Sequence, residues 1–183
     1  MGDPGSAGRR SRSATPERAA DREPDPYDVA RTIVLRQLTM APRSRRQLED
    51  KLRAKGCADE IAETVLDRMS EVGLIDDEAF AGMVVRSQQA TRGLGRRGIA
   101  QELRRKGVDD ELIREQLDGI DDEAERDRAM ELARKKMRTL QGLEYVVQQR
   151  RLAGMLARKG YSPSLVMSVV REVLQEDQVQ TDD

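Results

Sequence analysis

The side chains of this chain best suited to chemistry are guanidinium groups, and they come in pairs: Arg45-Arg46, Arg96-Arg97 and Arg150-Arg151. A guanidinium fork recognises carboxylates and phosphates in a bidentate way, so paired arginines expected near the starts of equivalent helices suggest a surface for such groups. The plain alternative is a set of solvated arginines in an arginine-rich chain. The middle pair lies inside Gly93-Leu94-Gly95-Arg96-Arg97-Gly98, which has the glycine spacing of dinucleotide-binding loops. That chemistry needs a strand before the loop, and the preceding VVRSQQATR continues a helical pattern instead. Gly93 is therefore read as a helix end and Gly95 as the opening of the next turn. No nucleotide site or other cofactor is predicted.

Histidine is absent and Cys57 is the single cysteine. Without imidazole the chain lacks the commonest general base and metal ligand, which excludes most hydrolytic triads and zinc sites. Cys57 has no base to activate it and reads as a small apolar residue; one cysteine also fits a reducing cytosol. Carboxylates fall at helix starts, where capping accounts for them. The prediction is a binding protein with no catalytic residues and no metal.

Those arginines must be held by helices. Of 183 residues, 37% are hydrophobic and 37% charged, and Tyr27, Phe80, Tyr145 and Tyr161 are the whole aromatic complement. Such a composition describes helices with narrow apolar stripes. With 33 basic and 34 acidic residues, bulk charge does not drive nucleic-acid binding. Charge is nevertheless uneven: residues 121–160 hold ten Arg or Lys against seven acids, and residues 161–183 one against five. No run of about 18 apolar residues exists to span a membrane, and the basic N-terminus lacks the apolar stretch of a secretory signal. Residues 1–26, rich in Gly, Pro, Ser and charge, read as a disordered extension. Residues 176–183 read as a frayed acidic tail.

Between these ends one pattern is written three times. It aligns on Lys55-Gly56, Lys106-Gly107 and Lys159-Gly160. Leu48, Ile99 and Leu152 stand at one equivalent position before the lysine, and Leu52, Leu103 and Leu156 one turn later, on the same helical face. Arg46, Arg97 and Arg150 also coincide, while Arg104, Arg105 and Lys106 dress the helix end of the second copy. Each glycine is expected just beyond a helix end, in the left-handed conformation, with an apolar contact from the leucine to Cys57, Val108 or Tyr161. Asp109 and Ser162 then suit N-caps, with Pro163 at the first helical position; Ala58 is a weaker cap and Asp59 its alternative. A helix follows each copy, and another precedes it, at about 26–41, 77–92 and 121–140. The predicted fold is all-α: three tandem three-helix repeats, residues 27–75, 76–120 and 121–175, stacked into an elongated, curved array. Mobile joints are expected near Gly73, Gly93 to Gly95 and Gly119.

With the repeat in place, residues 27–175 resemble the RecX family of bacterial recombination regulators. The resemblance is most specific in GLIDDEAFA (73–81), Arg86 and GLGRRGIAQELRRKGV (93–108). Val84-Val85 replace an expected aromatic, and the N-terminal extension is not general to the family. The resemblance implies a cytoplasmic, monomeric regulator that binds the RecA recombinase filament, with possible contact to its single-stranded DNA. Its expected effect is to inhibit ATPase, strand exchange and co-protease activities. Arg96, Arg97, Arg104, Arg105, Lys106, Arg150 and Arg151 are the expected partner contacts. A stand-alone DNA-binding module built of three-helix units is the alternative.

Overall fold

Local capping and periodicity explain where each helix starts and stops. The computed structural model describes residues 24–181, so residues 1–23 of the extension expected over residues 1–26 lie outside the described residues. Within them there are nine helices and no strand. The first unit contains α1 (Pro26–Met40), α2 (Arg45–Arg53) and α3 (Asp59–Glu71). The second contains α4 (Asp77–Arg92), α5 (Arg96–Arg105) and α6 (Asp110–Asp118), and the third α7 (Asp122–Met137), α8 (Tyr145–Arg158) and α9 (Pro163–Thr181). Asp25, Asp76 and Asp121 open the first helix of each unit, accepting from the N–H groups of Tyr27, Ala79 and Ala124 at 2.9, 2.8 and 2.7 Å. No helix among the described residues is long and apolar enough to cross a membrane.

The three Lys-Gly turns are Schellman endings. Gly56, Gly107 and Gly160 have φ of 77°, 76° and 83°. The following N–H of Cys57, Val108 or Tyr161 donates back to Leu52, Leu103 or Leu156 at 3.1, 3.1 and 3.3 Å. Those leucines are fully buried, each in a separate apolar cluster that belongs to one unit. All extensive helix–helix packing is likewise within a unit. Asp109 and Ser162 cap as expected, accepting from Glu111 and Leu165, whereas Ala58 gives no side-chain cap to α3.

Helix α1 spans Pro26–Met40, as expected for the helix at about 26–41, and its cap Asp25 lies in the segment read as disordered. Helix α9 runs to Thr181, into the segment read as a frayed tail. Arg134 of α7 grips Glu176 on that helix at 2.6 Å, and the hydrogen bond holds that carboxyl below its ordinary pKa. Arg126 makes a parallel contact to Glu172 from the same helix, α7.

Neighbouring units meet through a recurring joint in which the N-terminus of one unit's middle helix is stoppered by the next unit. At the first joint, Asp77 on α4 accepts the Arg45 N–H of α2 at 2.8 Å. The hydroxyl of Ser44, a fully buried N-cap, accepts from Gln47 and donates to the Lys106 carbonyl. At the second joint, Glu125 on α7 accepts the Arg96 N–H of α5 at 2.8 Å. The Gly95 N–H donates to Lys159 and the Arg97 N–H to Gly160, at 3.0 and 3.1 Å. The electropositive start of α5 thus abuts the carbonyl end of α8, and each satisfies groups the other helix leaves open.

Further bonds cross the segment Gly93 to Gly95, where a mobile joint is expected. Besides the two backbone bonds, the Lys159 ammonium donates to the Arg92 carbonyl and the Tyr161 hydroxyl to the Gly93 carbonyl, the latter at 3.0 Å. Gly73 and Gly93 do hold left-handed φ of 73° and 59°, but Gly119 sits at an ordinary helical φ of −73°.

Tyr161 makes the joint sensitive to alkali. Burial pushes its phenol up from 10.0 to about 12; nearby Glu125 adds to the shift and Arg128 opposes it. The unfolded chain therefore ionises first, so the stabilisation is complete below pH 10.0 and is lost as pH rises towards about 12. Tyr161→Phe is expected to destabilise the protein by about 1 kcal/mol at neutral pH through the lost hydrogen bond. It should also flatten the loss of stability across that alkaline window, as followed by urea titrations at a series of pH values.

Candidate interaction surface

The paired arginines lie on consecutive helical positions, about 100° apart, so the two members of a pair cannot face the same way. The structure separates them accordingly. Arg96 turns into the second joint, where its guanidinium meets Glu125 at 2.7 Å and Asp122 at 2.6 Å and donates to the carbonyls of Leu117 and Ile120. The Arg45 guanidinium instead turns to α3 of its own unit, reaching Asp67 at 2.6 Å and Ser70 at 3.4 Å, while its N–H is held by Asp77 at the first joint. Cations at a helix start oppose the macrodipole, and at Arg45 and Arg96 acids offset that cost. Acids of the same and following units surround them, and a carboxylate shares each helix N-terminus. Arg96 is a tie between units, not a free surface group.

In the first two pairs the second member faces outward. Arg46 lays its methylenes over Gly107 and pairs with Glu49 at 3.4 Å and Asp50 at 3.3 Å. Arg97 is exposed and has no acidic partner among the described residues. The third pair differs: it lies in the middle of α8 with Arg150 as the counterpart of Arg46 and Arg97, and Arg150 and Arg151 are both exposed, again with no acidic partner among the described residues. At the other end of α5, Arg104 pairs with Asp110 at 2.7 Å and Arg105 with Glu102 at 2.6 Å, while Lys106 reaches Glu102 at 3.8 Å. Burial pushes the Glu102 carboxyl up, but Arg105, Lys106 and Arg92 outweigh it and hold the group below the ordinary carboxylate range. The expected contacts thus fall into three groups: Arg96 inside the joint, Arg104, Arg105 and Lys106 exposed or half-buried but engaged, and Arg97, Arg150 and Arg151 unengaged.

A cleft of about 550 Å³ opens beside the second joint, between α5 and the α8–α9 hairpin. Arg97 and Gln101 line it from α5, and Arg158 lines it from the end of α8. Ala153, Ala157 and Met167 supply apolar lining. In the sequence Arg158 is one more cation near a helix end, beside Lys159-Gly160. Its place in a cleft with Arg97, 61 positions earlier, depends on the joint and leaves no local signal.

Three family models match the chain, described as the first, second and third three-helix domains of RecX, over residues 30–69, 76–117 and 123–170. The regulatory protein RecX of Thermobifida fusca is 45% identical over 177 residues, covering 91% of this chain and 96% of that protein. That of Streptomyces lividans is 49% identical over 162 residues, covering 87% and 86%. Among solved structures, RecX from Lactobacillus salivarius aligns with a TM-score of 0.76 at 24% identity, over 81% of this chain and 97% of that one. A second crystal structure of regulatory protein RecX aligns at 0.73 and 27% identity, over 79% and 73%.

Proposed function

This chain belongs to the RecX family of regulatory proteins, and from that premise we propose that it binds the RecA recombinase and its filament on single-stranded DNA. In doing so it inhibits ATP hydrolysis, strand exchange and co-protease activity, and so modulates recombination and repair in the cytoplasm. It acts as a monomer, without catalysis of its own. The observation that carries the reading is the match of all three units, in order, to the three domains of a regulatory family.

The surface supports it. Three linked units, with unengaged arginines on α5 and α8, can make several weak contacts whose combined affinity is raised by effective concentration. A net charge of −1 suits a partner that presents protein as well as phosphate better than naked DNA. The test is to add the protein to pre-formed filaments of the cognate RecA on single-stranded DNA and to follow ATP hydrolysis. Hydrolysis should fall with increasing protein; an unchanged rate at saturating concentrations overturns the proposal. A steep fall of log affinity for bare DNA with log salt would instead favour the stand-alone DNA-binding module.

A further inference from the structure

We propose that the cleft between α5 and the α8–α9 hairpin is the principal partner contact, and that it takes an acidic, aliphatic protein segment. This rests on the regulatory reading above and assigns its main site.

The charge argument comes first. Around the second joint most cations are engaged: Arg96, Arg104 and Arg105 by acids of their own or adjoining segments, Arg126 and Arg134 by acids of α9. Arg97 and Arg158 are exceptions, and both line the cleft. No carboxylate lines it, so two exposed guanidinium groups from two different units border one cavity with nothing to neutralise them. Such a pair attracts carboxylates through charge-assisted, bidentate hydrogen bonds.

The apolar part decides what kind of anion fits. Ala153, Ala157, Val166 and the 49%-exposed Met167 offer an aliphatic surface. A volume of about 550 Å³ is ample for one or two aliphatic side chains. A nucleic-acid strand would want stacking platforms. The one ring in the lining, Tyr161, is buried with 2% exposure, and its hydroxyl is held by the Gly93 carbonyl. A segment with carboxylates flanking a leucine, isoleucine or valine satisfies the guanidinium groups and the apolar lining together. The geometry is also shaped by the joint: Gly160 seated on Gly98 fixes α5 against the turn that joins α8, which ends at Arg158, to α9, which carries Met167.

The test uses the full chain and filaments of the cognate RecA on single-stranded DNA, with affinity read by co-sedimentation and by titration of ATPase inhibition. Arg97→Glu/Arg158→Glu is compared with Arg150→Glu/Arg151→Glu, which changes charge equally outside the cleft. Met167→Glu tests the apolar lining at an exposed, fold-tolerant position. Helical content by circular dichroism confirms that each variant is folded. The cleft pair and Met167→Glu should each weaken filament binding about tenfold or more, the loss expected at a central contact, against less than about threefold for the Arg150/Arg151 pair. Equal losses for the two arginine pairs, or none, overturn the cleft while leaving inhibition by the wild type, and hence the regulatory reading, intact. If the wild type itself neither binds nor inhibits filaments, both fall. If the cleft pair loses binding to bare single-stranded DNA by the same factor as to filaments, the occupant is nucleic acid and the protein-segment assignment is wrong. Should the double variant unfold, Met167→Glu alone decides: unchanged filament affinity overturns the proposal.

Discussion

Alanine at Gly160 is expected to destabilise the protein by roughly 3–4 kcal/mol, against roughly 1–2 kcal/mol for the same change at Gly56. Both glycines have left-handed φ, 83° and 77°, so both substitutions incur the same local backbone strain. Around Gly56 an added Cβ meets nothing within 4 Å. At Gly160 it would lie 2.0 Å from the Gly98 nitrogen and 2.5 Å from its Cα, which are backbone atoms that cannot swing aside. The second joint must open, and the bonds from Gly95 and Arg97 to the α8 carbonyl end are lost with it. Gly107 falls between the two: its added Cβ would meet the Arg46 Cγ at 2.4 Å, which can turn about χ1, and the Arg46 Cβ at 2.5 Å, which moves only if the start of α2 shifts.

Gly98 supplies a test of sign. In an unencumbered helix Gly→Ala stabilises by about 1 kcal/mol, and Gly154→Ala, where the new Cβ meets only the far end of Arg158 at 3.2 Å, is expected to behave that way. At Gly98 the Cβ would sit 2.4 Å from the Lys159 carbonyl oxygen, so the same change should destabilise by roughly 1–3 kcal/mol. Urea unfolding followed by circular dichroism checks the series. A Gly98→Ala protein as stable as the wild type would refute the close backbone approach.

The second large effect is expected at Glu125, whose side chain is 8% exposed. Glu125→Ala removes the acceptor of the Arg96 N–H and the buried carboxylate paired with its guanidinium. Breaking a buried pair costs about 3–5 kcal/mol, but Arg96 is 31% exposed and keeps Asp122 and two carbonyls, so roughly 2–3 kcal/mol is expected here. Arg96→Ala should be comparably harmful, because it strands the Glu125 carboxylate. The double variant Arg96→Met/Glu125→Leu should recover much of the loss, giving a coupling energy of roughly 1–3 kcal/mol in a double-mutant cycle. Arg97→Ala, one residue along, should change stability by less than about 0.5 kcal/mol. Equal effects at Arg96 and Arg97 would contradict the division of the pair into an inward and an outward member.

That division marks the limit of what the arginine pattern could say. Arg96 and Arg97 are the same residue type at adjacent positions, and only the acids that surround α5 distinguish them. Arg96 is caught by Glu125, 29 positions later; Arg97 has no acid to meet. The GxGxxG spacing was legible only in part. Gly93 ends a helix and Gly95 starts the next, as expected, but the third glycine, Gly98, makes a close backbone contact, a role that leaves no local trace. Ser44 could have been found, since Ser44-x-x-Gln47 is a capping-box spacing, but its second bond goes to Lys106, 62 positions away.

The sequence by itself determined the nine helices of the described residues, their grouping in threes and the Schellman ends at Gly56, Gly107 and Gly160. Helical periodicity, capping and left-handed glycine are properties of neighbours within about seven positions, and those are written along the chain. Only the tertiary structure decided which arginines are ties and which are free, why Gly98 and Gly160 must both lack a side chain, and that Arg97 and Arg158 border one cleft. Each of these depends on groups 29 to 68 positions apart meeting at a joint, and the energy of such a meeting resides in packing and charge pairing that no local pattern encodes.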